Sequence, residues 1–254
     1  IIKDVLFVNG NFSYNFDKNR NRWHYLPVAY YEGPEMAPKY FNETTSAYSQ
    51  SNETTRLTFD AYATFNKTFN EKHAITVIAG FNQEEYRYEN TQLGRKDLIS
   101  TSLPTLGLAT GDMSVSESIT TWALRGGYAR FNYTFDDKYI AEFNGRYDGT
   151  SRFPKDSRFV FNPSGSVAWV VSREKFFKPF ENIFSFFKLR YSYGVLGNQD
   201  VGAYEYIATM GSGKTSQIID GEQPVYVNAP GLVSGGLTWE KVSTSNLGVE
   251  MNFL

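Results

Sequence analysis

The chain reads ARFNYTFDDKYIAEFNGRYD over residues 129–148, and this stretch is the strongest guide to the fold. Successive side chains of a β-strand point to opposite faces, so each run beside Asp136-Asp137 has one apolar or aromatic face and one polar face. The apolar face carries Ala129, Phe131, Tyr133, Phe135, Tyr139, Ala141, Phe143, Gly145 and Tyr147. The pattern predicts an antiparallel hairpin. It leaves open whether the apolar face packs into a soluble core or faces lipid as part of a membrane barrel.

Composition excludes several classes of protein. The 254 residues are 17% aromatic and 20% charged, a balance that fits neither a disordered chain nor a helical membrane protein. Nowhere do 18 apolar residues follow one another, so no transmembrane helix is expected. The net charge of -2, with acids and bases mixed, argues against a nucleic-acid partner. With no cysteine, disulfides and thiolate metal sites are excluded.

Alternation along the whole chain predicts an all-β, antiparallel fold of about eight strands. The predicted strands cover 5–16, 54–66, 73–86, 120–135, 138–149, 159–171, 185–196 and 238–253. Short or medium turns at 67–72, 136–137 and 172–184 interleave with longer connections at 17–53, 87–119, 150–158 and 197–237. Tight periplasmic turns that alternate with extended outer loops are typical of an outer-membrane barrel, whereas a Greek-key sandwich does not sort its loops in this way.

Charged residues also follow one side of the predicted strands. They are Arg130, Glu142, Arg146, Asp148, Lys188, Arg190 and Glu250. A wet lumen can hydrate such charges, whereas a charge facing lipid at mid-bilayer costs about 2–4 kcal/mol. Aromatic residues near strand ends, such as Phe135 and Tyr139, suit a membrane interface. The phenylalanines between 176 and 187 fit either an interface or an ordinary apolar core.

The ends of the chain both fall close to strand patterns. The first residues lack the basic region, apolar stretch and cleavage site of a signal peptide, and the last residues alternate as a strand does. We therefore expect residues 1–254 to be a segment of a longer β-barrel protein, with the signal peptide absent from this chain.

Several motifs in order resemble one family. They are RYDGTSRF at 146–153, NPSGSVAW at 162–169, EKF at 174–176, FKLRYSYG at 187–194, GNQ at 197–199, LTWE at 237–240 and NLG at 246–248. Together they resemble the SusC/RagA group of TonB-dependent outer-membrane transporters. The similarity extends from about residue 54 to the end of the chain, and the ordered set of motifs is far more specific than any one of them.

The resemblance implies a multi-pass barrel of about 22 strands in a bacterial outer membrane, of the kind found in Bacteroidota, with a plugged lumen. The chain would be a barrel segment that lacks the plug domain and the N-terminal part that contacts TonB. A SusD-like surface lipoprotein would capture an oligosaccharide or peptide above the barrel for nutrient uptake. The resemblance implies transport without an enzymatic reaction and without a cofactor.

Aromatic residues in the predicted loops are the candidates for contact with substrate. They are Trp23, His24, Tyr25, Tyr30 and Tyr31 in the first long loop, and Tyr204, Tyr206 and Tyr226 in the last. Rings with polar edges suit sugars, which offer apolar C–H faces and hydroxyl edges. The alternative is that these rings pack the loops against each other.

Catalytic and metal sites are not expected. His24 and His73, the only histidines, lie far apart in the sequence without the close spacing of metal ligands. The Asp136-Asp137 pair is better explained as a turn than as an acid/base pair, since adjacent strand residues point to opposite faces. Two other readings stay open: a complete small outer-membrane barrel that acts as an adhesin or structural protein, and a soluble carbohydrate-binding β-sandwich.

Overall fold

The structure, a computed structural model, describes residues 5–253 and is built mainly of β-strands. The strands are β1 (Leu6–Tyr25), β2 (Val28–Tyr30), β3 (Lys39–Phe41), β4 (Ser46–Phe69), β5 (His73–Lys96), β6 (Met113–Phe135), β7 (Tyr139–Thr150), β8 (Phe159–Val170), β9 (Phe184–Asn198), β10 (Ser212–Lys214), β11 (Val225–Val227) and β12 (Glu240–Phe253). Short 3-10 helices cover Leu106–Leu108, Lys155–Ser157, Val171–Arg173 and Lys175–Phe180. None of the helices within 5–253 has the length and apolar character needed to span a membrane.

Eight of the strands form one sheet in the order β1-β4-β5-β6-β7-β8-β9-β12. The pairs β6–β7, β7–β8, β8–β9 and β9–β12 are all antiparallel. The prediction of an all-β fold with eight principal strands is therefore confirmed. A sandwich would divide these strands between two facing sheets, whereas here each of the eight pairs with the next of the eight along the chain. Two separate hairpins, β2–β3 and β10–β11, lie inside connections that were predicted to lack strands.

Four strands extend further than alternation predicted. β1 continues to Tyr25 instead of 16, β4 begins at Ser46 instead of 54, β5 continues to Lys96 instead of 86, and β6 begins at Met113 instead of 120. Most of the added residues, such as 17–22 and 49–53, are polar on both faces and carry no apolar alternation to reveal them. At the start of β6, by contrast, Met113, Val115 and Ile119 do alternate with polar residues. Because backbone pairing with a neighbouring strand does not depend on side-chain polarity, the strands continue where the pattern stops.

The two-acid turn is confirmed. Asp136 and Asp137 have φ values of 50° and 54°, and the Lys138 amide donates to the Phe135 carbonyl at 2.9 Å. Positive φ at both central residues is the type I′ geometry that matches the twist of a two-residue hairpin, and aspartate tolerates it better than most residues.

The described residues divide into two compact units. One contains 5–12, 58–84 and 122–253; the other contains 13–57 and 85–121. In the second unit, the Asp97 amide donates to the Thr45 carbonyl at 2.8 Å, and the Leu98 amide donates to the Thr45 hydroxyl at 2.7 Å. Ser46, Ala47 and Ala109 are buried there. These contacts order the ends of β4 and β5 in that unit.

Buried apolar side chains are few. Within 5–253 they are Ala47, Ala109, Phe153, Val160, Val170, Val171, Phe177 and Trp239. By contrast, most of the apolar rows along the sheet are exposed, including Phe143 at 53% and Leu247 at 81%. The sheet therefore carries its apolar side chains on a surface instead of in a core, which is the opposite of a soluble sandwich.

Candidate functional site

Strand register in the first unit aligns polar side chains from several strands on one face, here called the polar face. Tyr128, Arg130 and Asn132 of β6 lie opposite Arg146, Asn144 and Glu142 of β7. The same β7 residues lie opposite Asn162, Ser164 and Ser166 of β8. Directly opposed residues share a face of a sheet, so polar groups run from β6 to β8 without interruption.

Hydrogen bonds connect the middle of the polar face. Arg130 Nε donates to Asn144 Oδ1 at 2.7 Å, Asn144 Nδ2 donates to Glu142 Oε1 at 2.8 Å, and Asn132 Nδ2 donates to Glu142 Oε2 at 3.2 Å. The Glu142 carboxylate thus accepts from both neighbouring amides. Such a network holds the side chains in a defined arrangement while their outer edges stay available to water or to another molecule.

A second group of contacts extends the polar face toward β4. Arg146 pairs with Asp148 through bonds of 2.8 and 3.1 Å, and its guanidinium lies 5.3 Å from the centroid of the Tyr128 ring. The Tyr128 hydroxyl donates to Asp60 Oδ1 at 3.1 Å. Gly80 makes room for this ring, since a Cβ there would lie 2.5 Å from it. Asp60 and Gly80 were not predicted as members of this site, because their contacts join residues far apart in the sequence.

The polar face continues at β9 and β12. Glu250 pairs with Lys188 at 3.3 Å and with Arg190 at 3.1 Å. The predicted placement of charges on one side of the strands is therefore confirmed. Depressions of about 450 and 530 Å³ lie along this face, one beside Glu142 and Arg190 and the other beside Arg146 and Asp148. Acidic and basic side chains line both depressions and offer hydrogen-bond acceptors and donors, so the depressions can hold polar molecules or peptide groups.

The opposite side of the same strands, the apolar face, is aromatic and exposed. Phe131 of β6 opposes Phe143 of β7, which opposes Gly165 of β8. Phe131 is 43% exposed and Tyr147 is 54% exposed. An apolar face of this extent on a soluble monomer would be an interaction or aggregation surface, whereas lipid covers it in a membrane barrel.

The family-like motifs meet in a small core at the far end of β7 and β8 from the Asp136 turn. This loop clamp consists of Phe153, Val160 and Trp239, with Arg152 and Arg158 around them. Phe153 is fully buried, and its ring lies edge-on to Trp239 with 5.5 Å between centroids. Trp239 Nε1 donates to the Arg158 carbonyl at 2.9 Å. Motifs 86 residues apart in the chain, at Phe153 and Trp239, therefore form a single packed unit.

The loop clamp also anchors the connection between β9 and β12 near both of its ends. Arg152 Nη1 donates to the Val201 carbonyl at 2.7 Å, and Arg158 Nη2 donates to the Tyr206 hydroxyl at 3.4 Å. Leu237, just before Trp239, packs against the same core. The position of this long connection thus depends on residues of the RYDGTSRF motif and of LTWE.

The first group of predicted substrate contacts belongs to the second unit. Trp23, His24 and Tyr25 lie in β1, not in a loop as predicted, because that strand is longer than alternation indicated. Trp23 stacks on Tyr48 at 5.3 Å and Tyr25 meets it edge-on at 5.9 Å, while the exposed His24 points to the other face of β1. Tyr30 lies in β2, where it packs on Phe41 at 4.7 Å. Tyr31 follows β2 and is 65% exposed.

The last three candidates belong to the first unit. Tyr204 is exposed in the connection after β9, with φ of 68°, and Tyr206 is held by Arg158. Tyr226 lies in β11, opposite Gly213, and is exposed. The structure therefore brings Trp23 and Tyr25 together but does not join them to His24, and it makes Tyr206 part of the loop-clamp contacts. A role for any of these eight residues in substrate contact stays a prediction.

At the Asp136 turn, charges form a compact arrangement. Lys138 Nζ lies 2.9 Å from Asp136 Oδ2 and 3.9 Å from Glu174 Oε2. The hydrogen bond from Lys138 lowers the pKa of Asp136, and the same bond raises the pKa of Lys138. Hydrogen bonds from the Tyr139 hydroxyl and then from Trp169 lower the pKa of Glu174. All three groups thus favour their charged forms.

Histidines and acids do not assemble a metal site in the part of the chain that the structure describes. Within 5–253 no three side chains of the metal-ligating types cluster together. His73 Nδ1 lies 2.8 Å from the Tyr133 hydroxyl, and its ring is 4.9 Å from the Phe135 ring. This histidine is engaged with aromatic neighbours.

The sequence matches the family described as TonB dependent receptor-like, beta-barrel, over residues 4–254. It is 32% identical to TonB-dependent receptor P39 of Formosa agariphila over 194 residues, which are 74% of this chain and 18% of that protein. It is 33% identical to TonB-dependent receptor SusC of Bacteroides thetaiotaomicron over 130 residues, covering 50% of this chain and 13% of SusC. The chain thus spans a fifth or less of these curated relatives.

A solved structure has the same fold. The RagAB peptide transporter superposes with a TM-score of 0.82 over 98% of this chain and 26% of that chain, at 21% sequence identity. These matches confirm the resemblance that the motifs predicted. The chain belongs to the TonB-dependent receptor β-barrel family.

Proposed function

We propose that this chain forms part of the wall of a transporter in a bacterial outer membrane, which imports oligosaccharides or peptides with energy delivered through TonB. The observation that carries the proposal is the division of the sheet into two faces. The hydrogen-bonded polar face would line a hydrated lumen, and the exposed apolar face would contact lipid. No bond of the cargo is broken in this scheme, so the chain acts in binding and passage.

Partners follow from the family. A SusD-like surface lipoprotein would lie over the outer loops, and the part of the protein that contacts TonB would lie outside this chain. The similarity to SusC and the fold shared with the RagAB peptide transporter support this assignment. The RagAB structure that shares this fold is named a peptide transporter, and the depressions of the polar face offer both donors and acceptors, so the cargo is an oligosaccharide or a peptide.

A pair of neighbouring residues tests the orientation of the sheet. Phe143 is 53% exposed on the apolar face, whereas Asn144 lies on the polar face beside Arg130 and Glu142. Phe143→Arg would place a charge against lipid, at a cost of about 2–4 kcal/mol near the middle of the bilayer. Asn144→Arg would place the same side chain beside the Glu142 carboxylate, in water.

The measurement is the amount of correctly inserted protein in the outer-membrane fraction, scored by resistance to extraction with urea. We expect a large loss for Phe143→Arg and a near-normal amount for Asn144→Arg. Equal amounts of the two variants would contradict the proposed orientation. Uptake of labelled oligosaccharides and of labelled peptides by cells that carry the unaltered protein then distinguishes the two cargo classes.

A further inference from the structure

The apolar face contains a groove that crosses four strands. In register across four strands, Tyr133 opposes Ala141, Ala141 opposes Val167, and Val167 opposes Tyr191. The two smaller side chains thus lie between two tyrosines, and a groove of about 430 Å³ results. Its lining is almost entirely apolar, and Val167 within it is 56% exposed. Such a lining suits a hydrocarbon chain.

One end of the groove meets the charged arrangement at the Asp136 turn. Tyr139 and Trp169 both line the groove, and both donate to Glu174 Oε1, at 2.7 and 3.2 Å. The second oxygen, Oε2, is 3.9 Å from Lys138 Nζ, beyond hydrogen-bond distance. Lys138 in turn contacts Asp136. A hydrocarbon groove therefore ends beside two carboxylates and an ammonium, and Arg173 Nη1 pairs with Asp137 Oδ2 at 2.9 Å in the same turn.

We infer that this groove binds a glycerophospholipid whose headgroup carries a primary amine beside its phosphate. The acyl chain would occupy the groove, the phosphate would contact Lys138, and the amine would donate to Glu174 and Asp136. The alternation of charges selects the occupant. A quaternary ammonium headgroup has no N–H donor for the carboxylates, and a phosphoglycerol headgroup has no cation to pair with them.

This inference rests on the proposed function, because it requires that the apolar face lie in a membrane. The turn around Asp136 would then lie at the periplasmic surface, where phospholipid headgroups are in reach. Aromatic rings at that depth, such as Tyr139 and Trp169, have their apolar bodies in the bilayer and their polar atoms at its edge. The Glu174 carboxylate accepts hydrogen bonds from the Tyr139 hydroxyl and from Trp169 Nε1, and so connects the groove to the level of the headgroups.

Competitive lipid retention tests the inference. The native protein, extracted from its membrane and stripped of lipid, is incubated with equal amounts of phosphatidylethanolamine, phosphatidylcholine and phosphatidylglycerol of identical acyl chains. Bound lipid is counted by native mass spectrometry. We expect phosphatidylethanolamine to be retained about tenfold over the other two, the fold-change of one charge-assisted hydrogen bond. Equal retention of all three, or preference for phosphatidylglycerol, would overturn the assignment.

Two groups of variants test the recognition of the headgroup and the binding of the acyl chain separately. Glu174→Gln and Asp136→Asn each remove one carboxylate charge and should reduce the preference for phosphatidylethanolamine, whereas Glu181→Gln, an exposed acid in the same segment, should leave it unchanged. Ala141→Leu should fill the groove and reduce retention of all three lipids. Ala129→Leu adds the same side chain to the apolar face outside the groove and should not. Loss of selectivity in the control variants would contradict a specific site.

The result also distinguishes this inference from the proposed function. A protein that is inserted in the outer membrane but shows no headgroup preference refutes the lipid site alone. A protein absent from the membrane fraction refutes both.

Discussion

The loop clamp allows a prediction whose size follows from its packing. Phe153 has no exposed surface, and its ring contacts Trp239 edge-on, with Val160 buried beside them. Truncation to alanine removes the largest fully buried side chain among the described residues and leaves a cavity that the short loop from 151 to 158 cannot fill. Phe→Ala changes in cores cost about 3–5 kcal/mol. The clamp is small, so we expect about 3 kcal/mol.

The consequence of Phe153→Ala is local opening. Since about 1.4 kcal/mol corresponds to a factor of ten, the population in which the clamp is open should rise on the order of a hundredfold. Both ends of the connection between β9 and β12 would be released, because Arg152 holds Val201 and Trp239 lies just before β12. Hydrogen exchange of the inserted protein, followed by mass spectrometry, reports this opening in peptides that cover 150–160, 199–207 and 236–242.

Phe161→Ala provides the matched control. Phe161 is the same residue type, two positions into β8 from its start, but 51% exposed on the apolar face. Its truncation should leave exchange in those peptides within about threefold of the parent protein, since partly exposed side chains contribute less to packing. If Phe153→Ala also stays within about threefold, the clamp does not hold the loop and the reasoning is refuted.

Two further predictions concern a carboxylate and a glycine. Glu174 has a lowered pKa, so its contribution to stability is fully present above its ordinary pKa of 4.5 and is lost only as the pH falls through the lowered value. The infrared carboxylate band that disappears in Glu174→Gln should therefore titrate below pH 4.5. A midpoint above 4.5 would contradict the contacts with Tyr139 and Trp169. Gly80→Ala should displace the Tyr128 ring and destabilise the protein by about 1–3 kcal/mol. Gly127→Ala, where a Cβ would meet only the Gly80 carbonyl at 4.0 Å, should cost much less in thermal unfolding of the detergent-solubilised protein, and equal losses would argue against the close approach at Gly80.

Local alternation was sufficient to predict the hairpin around Asp136 and the assignment of its two faces. The reason is that a strand places every second side chain on one face, so Arg130 and Phe131 must separate whatever the rest of the chain does. The eight principal strands and the two-residue turn follow from the same rule. Alternation did not mark the ends of β1, β4 and β5, where most residues are polar on both faces and pairing with a neighbouring strand maintains the extended backbone. β6 also begins earlier than predicted, although Met113, Val115 and Ile119 alternate there with polar residues.

Resemblance to family motifs predicted more about this protein than periodicity did, but it gave no physical reason why those motifs occur together. RYDGTSRF and LTWE were recognisable as family motifs from their letters, but their reason for occurring together is the contact between Phe153 and Trp239. The candidate aromatics illustrate the opposite case. An aromatic residue in a loop predicts substrate contact for Tyr206, whereas the structure shows that its hydroxyl accepts a hydrogen bond from Arg158.

The sequence by itself therefore determines the alternation of side chains along each strand, and with it the principal strands, the hairpin and the separation of polar from apolar faces. Register between strands determines everything that involves more than one of them. The Asp60 contact with Tyr128, the groove between Tyr133 and Tyr191, and the loop clamp all join residues separated by tens of positions. Such contacts depend on which residues the sheet sets side by side, and no local pattern encodes that pairing.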